Sequence, residues 1–286
     1  MKKIIVPIDF SDCSLNAVRY AITFARLINA ELMVLYVHVP EVTISTTPVW
    51  QPYFDIMPLP IMVHEQMKEV EKIIKQHGIK VKTFIQEGAL TDVITQIAKS
   101  KHADLVIMGT QGVNFSYNSI WGSNTSDLIE ERNIPVLVIP ENYNGELQSG
   151  AEIVFATDFK STDFIPDYFI ELSKNINAIV NVFYVTEPYR DEEALAYEKN
   201  EFEFVESLFE GTKVMLHHSY KENLIHAVEE FASKKHASMI LMIGHQRGFL
   251  GNLLHSSVTK RMALHTRVPF FAIPDEKVEM NKTYSW

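Results

Sequence analysis

Apolar residues fall in short unbroken blocks that alternate with segments of helical spacing. Ile4, Ile5 and Val6 make a β-branched block too short for a helix. Ala17, Tyr20, Ala21, Phe24 and Ala25 then recur at three- and four-residue steps, which is one face of a helix. Residues 32–37 are apolar throughout, as a strand covered on both sides must be. A polar, proline-bearing stretch at 39–60, holding Trp50, Tyr53 and Phe54, reads as a long loop or lid. Helical spacing resumes over 61–76 and is stopped by His77-Gly78. Residues 81–85 alternate as a strand, 90–100 are amphipathic, and strands at 105–108 and 136–139 enclose a helical segment at 124–132. The order βαβαβαβαβ predicts a parallel sheet with helices on both faces and right-handed crossovers.

The same pattern then starts again. Residues 142–150, with Asn144-Gly145 and Ser149-Gly150, read as a linker. Ile153 to Phe159 echoes Ile4 to Phe10, with Asp158 lying 149 positions after Asp9. Ile176-Asn177-Ala178 repeats Ile28-Asn29-Ala30 at an offset of 148. Residues 239–244 and 268–274 repeat the fourth and fifth strands at offsets of 135 and 134. A near-constant offset is the mark of duplication. The drop from 148 falls after the second strand, where the second copy has the shorter loop. The expected division is a first domain at 1–142, a second at 150–275 and a tail at 276–286, each domain long enough to bury its own core.

Composition narrows the setting. With 47% hydrophobic and 22% charged residues the 286-residue chain is globular in character. A formal charge of −10 argues against nucleic acid or an anionic membrane as a partner. No apolar run approaches the roughly 20 residues of a membrane helix, and an aspartate-bearing strand is reached before any signal-peptide core forms. The single cysteine, Cys13, has no internal disulfide partner. A cytoplasmic setting is expected. His217, His218, His226 and His236 lack the paired spacing of a zinc site, so no metal ligand is assigned.

Candidate chemistry centres on residues 109–123, G-T-Q-G-V-N-F-S-Y-N-S-I-W-G-S, directly after the strand at 105–108. Gly109, Gly112 and Gly122 let main-chain N–H groups approach a ligand closely. Gly122 and Ser123 open a helix, whose positive end suits phosphate. The spacing fits neither G-x-G-x-x-G nor the P-loop, whose lysine is missing. A plain tight loop with a helix cap is the competing reading.

The spacing G-x2-G-x9-G-S resembles the nucleotide loop of the universal stress protein family, in its ATP-binding subgroup. Val6-Pro7-Ile8-Asp9, Asp104 to Gly109 and Ile134 to Pro140 also resemble family blocks, in family order. The resemblance implies two tandem Rossmann-like, HUP-type α/β domains, each an open five-stranded parallel sheet of order 3-2-1-4-5. It implies pairing of the two copies through their fifth strands, 136–139 and 270–273, with whole chains able to form a homodimer.

In such a sheet the ligand lies beyond the carboxyl ends of the strands where the order reverses. That is between the strands ending in Asp9 and Gly109. Carried over residue by residue, Pro7, Ile8 and Asp9 lie near the nucleoside, and the backbone of Val37 near adenine. Met108, Gly109 and Gly112 border ribose and phosphates, and Gly122, Ser123 and Asn124 bind phosphate. The alternative for Asp9, and the favoured one for Asp158, is to cap the following helix. In the second copy Asp158, Gly244, Arg247, Ser256 and Ser257 outline a degraded site, which has either lost nucleotide or takes another anion.

The expected ligand is ATP or a related adenine nucleotide, with magnesium as an optional companion, and the expected role is regulatory, in stress response. Slow ATP hydrolysis competes, although no catalytic base is evident beyond Asp9. So does a protein-interaction module with vestigial sites and an unidentified protein partner.

Overall fold

The computed structural model describes residues 1–39, 61–110, 123–131, 133–159, 162, 165–185, 192–219, 224–244, 259, 262–263 and 266–275. The first half runs β1 (Lys3–Ile8), α1 (Asp12–Leu27), β2 (Glu31–His38), α2 (Ile61–Gln76), β3 (Val81–Glu87), α3 (Leu90–Lys101), β4 (Leu105–Gly109), α4 (Ser123–Glu131) and β5 (Val136–Ile139). The second runs β6 (Glu152–Thr157), α5 (Asp167–Asn175), β7 (Ile179–Val185), α6 (Glu192–Leu208), β8 (Lys213–Ser219), α7 (Leu224–Lys234), β9 (Met239–Gly244) and β10 (Phe270–Pro274).

All ten strands lie in one sheet of order β3-β2-β1-β4-β5-β10-β9-β6-β7-β8. Each half therefore contributes five parallel strands in the order 3-2-1-4-5. The halves meet where β5 and β10 pair antiparallel, Leu137 against Phe271. Antiparallel pairing is what a two-fold relation between the halves demands. It also hides two apolar edges that would otherwise be free to pair with other chains.

Alternate strand residues feed two cores. Ile4, Val6, Leu105 and Ile107 pack under α1 and α2 on one face, continuous with Phe155, Leu241 and Phe271 under α5 and α6. Ile5, Met33, Val106 and Val138 face the other side, under α3 and α4, continuous with Val154 and Met242 beneath α7. Burial on both faces explains why the strands read as unbroken apolar blocks. The turns repeat as well. Asn29 and Asn177 close α1 and α5 with φ of 50° and 46°, and His102 and His236 follow α3 and α7 with φ of 54° and 51°. Asparagine tolerates this left-handed geometry because its short side chain bonds locally.

The ladders set residue equivalences more strictly than the sequence does. Tyr36 pairs with Ile85 and its counterpart Tyr184 with His218. Ile4 pairs with Leu105, and its counterpart Ile153 with Met239. At that offset of 134 the counterpart of Gly109 is Ile243, and Gly244 is one place further on, paired with Pro274. The expected equivalence of Gly244 with Gly109 is thus corrected by one residue. β9 runs one residue beyond the place where β4 ends, because Gly244 still pairs with Pro274.

Candidate functional site

β1 pairs with β2 on one side and β4 on the other, so chain direction through the sheet reverses between β1 and β4. Their carboxyl ends form a mouth at the topological switch point. Pro7 and Ile8 are the last two residues of β1, and Asp9 follows half-buried. Met108 and Gly109 end β4. Val37 lies one residue before the end of β2, paired with Gln86. Ser123 opens α4 and Asn124 is exposed on its first turn. Gly112 and Gly122 lie outside the described residues, as do Trp50, Tyr53 and Phe54.

Asp9 does not cap α1; Ser11 does. The Ser11 hydroxyl accepts from the Ser14 amide at 3.2 Å. Asp9 Oδ1 accepts from the Ser11 amide at 3.1 Å and from its hydroxyl at 2.6 Å. Ser14 Oγ donates to the Ser11 carbonyl and accepts from the Asp9 amide. The carboxylate therefore orders the turn that starts the helix. Phe10, with φ of 63°, lays its ring on Tyr36 at 5.4 Å.

Gly109 is required by close packing. A Cβ there would stand 2.5 Å from Cys13 Sγ and 3.0 Å from the Cys13 carbonyl oxygen. Its φ lies outside the left-handed region, so the conformational freedom expected of this glycine is not what it supplies. Cys13 is a buried thiol packed beneath the end of β4. α4 is tied to the same spot, because buried Thr125 donates its hydroxyl to the Gly109 carbonyl at 3.2 Å. The amides of the first turn of α4 have no partners within the helix, and this bond brings them to the β1–β4 mouth. Ser11 and Thr125 escaped the sequence reading. Ser11, three residues before Ser14, carries a recognisable cap spacing; Thr125 carries no comparable signal.

In the second half Asp158 follows β6 half-buried, and Gly244 closes β9. Arg247, Ser256 and Ser257 lie outside the described residues. Asp158 does not cap α5, whose cap position is Pro166 without a side-chain bond. Thr157 Oγ1 instead accepts from the Phe159 amide at 2.8 Å.

The second half carries polar pairs where the first is apolar. Buried Glu198 on α6 meets His218 Nε2 at 3.2 Å. Asn181, fully buried on β7, bonds the Glu152 carboxylate and lies 2.9 Å from His217 Nε2. His226 lies 3.7 Å from Glu230 on the surface of α7. Among the described residues no group of three His, Cys, Asp or Glu side chains is arranged to hold a metal ion. No helix among them is long and apolar enough to cross a membrane.

Burial holds the His217 imidazole below its ordinary 6.5, aided by Lys235 and His218 and opposed by Glu152. The folded state thus prefers neutral His217. Its contribution is fully present above pH 6.5 and declines as pH falls from there through the lowered folded value, because the unfolded chain takes up the proton first. His217→Phe, which installs the counterpart residue Phe84, is expected to flatten the acid side of the stability profile. Urea midpoints between pH 7 and 5 would measure it.

These features define an α/β protein of doubly wound halves, with a candidate ligand mouth at the switch point of the first. The model of the universal stress protein family matches residues 1–140. Universal stress protein MJ0531 of Methanocaldococcus jannaschii is 34% identical over 140 residues, spanning 48% of this chain and 81% of the relative. MJ0577 of the same organism is 28% identical over 153 residues, 48% of this chain and 94% of the relative. A universal stress protein structure from Archaeoglobus fulgidus superposes over 96% of this chain and 98% of its own, with a TM-score of 0.69 at 18% identity, a likeness of fold across both halves. The chain belongs to the universal stress protein family.

Proposed function

We propose that the first half binds one adenine nucleotide, ATP or a close relative, at the carboxyl ends of β1 and β4, and that the protein is a cytoplasmic regulatory binder in stress response. The observation that carries this reading is the convergence of the Asp9–Ser11 turn, Gly109 and the Thr125-anchored start of α4 on one switch point. Those parts come from separate stretches of the chain, and their joint placement suits a sugar beside Asp9 and phosphates on the first-turn amides of α4. Pro7, Ile8, Val37, Met108, Gly112, Gly122, Ser123 and Asn124 complete the proposed contacts. The second half, with Ile243 where Gly109 stands, is proposed to lack an equivalent nucleotide site. Slow hydrolysis ranks below binding, because phosphoryl transfer needs positioned groups and the sequence offers no evident base beyond Asp9.

Mass spectrometry of small molecules released from denatured, freshly purified protein, followed by calorimetric titration with ATP, ADP and AMP, tests the proposal. About one adenine nucleotide per chain supports it. No release and no binding heat would sink it. Thr125→Val keeps the shape of the buried side chain but frees the Gly109 carbonyl, and is expected to weaken binding by about tenfold, the size of one lost positioning hydrogen bond. Unchanged affinity would remove Thr125 from the site.

A further inference from the structure

Tyr20 on α1 and Tyr168 on α5 are equivalent. Each stands eight residues before the capping isoleucine of its helix, Ile28 or Ile176, whose amide bonds the Phe24 or Leu172 carbonyl. Both rings are buried. Tyr168 donates its hydroxyl across the seam between the halves, to the carbonyl of Asp104 just before β4, at 3.2 Å. The counterpart of Asp104 is Ser238, since their amides donate alike to Lys3 and Glu152 carbonyls. The two-fold relation therefore aims Tyr20 at the Ser238 carbonyl.

Another residue occupies that carbonyl. Tyr143, between β5 and β6, donates to it at 3.3 Å. Its ring lies edge-on to Tyr20, centroids 6.1 Å apart, and the Tyr20 hydroxyl is buried without a hydrogen-bond partner among the described residues. The backbone around Tyr143 is held from below by buried Asn16 of α1. Its side-chain amide donates to the carbonyls of Pro140, Glu141 and Tyr143 at 3.1, 3.2 and 3.0 Å. Two N–H groups thus serve three acceptors, a shared and individually weakened hold.

We propose that Tyr20 and Tyr143 are alternative donors to the Ser238 carbonyl, making residues 140–143 a releasable strap across the seam between the halves. With the strap down, Tyr143 makes the bond and Tyr20 is idle. With it lifted, Tyr20 takes the carbonyl and the seam recovers the symmetric pair of bonds. Lifting exchanges the Tyr143 bond for one from Tyr20, which satisfies a hydroxyl that was buried unpaired and offsets the loss of the shared, weakened Asn16 bonds to residues 140–143, so the lifted arrangement is accessible as a minor state. The strap follows directly from β5, and α1 carries Asn16 five residues after Ser11, at the same end of the helix as the turn of the candidate mouth.

The test is a double-mutant cycle on the full chain with Tyr20→Phe, Tyr143→Phe and their combination, and Tyr168→Phe as reference. Phenylalanine keeps each ring in place. Tyr20→Phe alone is expected to leave the urea midpoint unchanged or raise it slightly, because it removes a hydroxyl that is unpaired with the strap down, and Tyr143→Phe alone to shift it little, because Tyr20 supplies the donor. The combination should lower it by clearly more than the two shifts together, to about the level of Tyr168→Phe, which has no substitute donor. Hydrogen exchange of residues 140–145 should slow in Tyr20→Phe and quicken in Tyr143→Phe. Additive midpoints, or strap exchange unmoved by Tyr20→Phe, would overturn the proposal.

Discussion

Gly109→Ala is expected to lower stability by about 1–3 kcal/mol, the usual penalty of an extra methyl forced into a packed interior. The new Cβ would meet Cys13 Sγ at 2.5 Å and the Cys13 carbonyl oxygen at 3.0 Å. The sulfur belongs to a buried side chain and the oxygen to the first turn of a helix clamped by Ser11, so neither yields cheaply. Cys13→Ala in the same chain should return part of the loss, because it removes the nearer atom and leaves the carbonyl. Urea unfolding of the four proteins measures both terms. The comparison residue is Gly244, where an added Cβ would sit 3.3 Å from Thr259 Oγ1 and could be accommodated by a small shift. Equal tolerance of alanine at 109 and 244 would show that the α1–β4 approach does not set the identity of Gly109.

The second large effect is expected at Glu198 and His218. On α2 the buried stripe is Val63, Met67, Val70 and Ile74, and the spacing of Val63, Val70 and Ile74 recurs in Glu198 and Val205 of α6 and in Phe209 just beyond its end. Ladder register puts His218 in the place of Ile85. The second half therefore has an acid–base pair at positions that are apolar in the first, with Tyr184 edge-on to His218 at 6.2 Å. His218→Ile leaves a carboxylate on a core position facing a hydrocarbon. That should cost about 1–3 kcal/mol, below the figure for a fully buried pair because the His218 side chain keeps 31% of its exposure. Glu198→Val alone should cost less, since His218 can turn toward water. Both together reproduce the first-half arrangement and are expected to fall near the parent protein, giving a coupling of about 1–2 kcal/mol in a double-mutant cycle. Additive losses would mean that the two side chains do not depend on each other.

Much of the architecture was legible because its signals are local. The helix over 61–76 could be bounded to the residue: an amphipathic stripe runs up to Gln76, and Gly78 takes a φ of 75° just beyond it. The strand 136–139 was equally plain as a β-branched run behind a proline. The switch-point mouth followed from strand order, and strand order from the family blocks. What failed locally was finer. Gly244 looked like the partner of Gly109 because a sequence comparison matches glycine to glycine, whereas hydrogen bonding to β10 counts residues along the ladder. Capping, the alternative reading for Asp9 and the favoured one for Asp158, was suggested because aspartate often is a cap. The cap on α1 is instead Ser11, braced by Asp9, and Pro166 holds the cap position of α5.

Sequence by itself determined the class of fold and pointed to a repeat and to a candidate mouth, since each rests on periodicity or on motifs contiguous in the chain. Tertiary structure alone decided which groups meet there and at the seam. Cys13 and Gly109, Thr125 and the Gly109 carbonyl, Asn16 and the 140–143 carbonyls, and Tyr143 and Ser238 are all brought together by the fold. Such contacts depend on ladder register and helix approach, which are set by the packing of the whole sheet and leave no periodic trace along the chain.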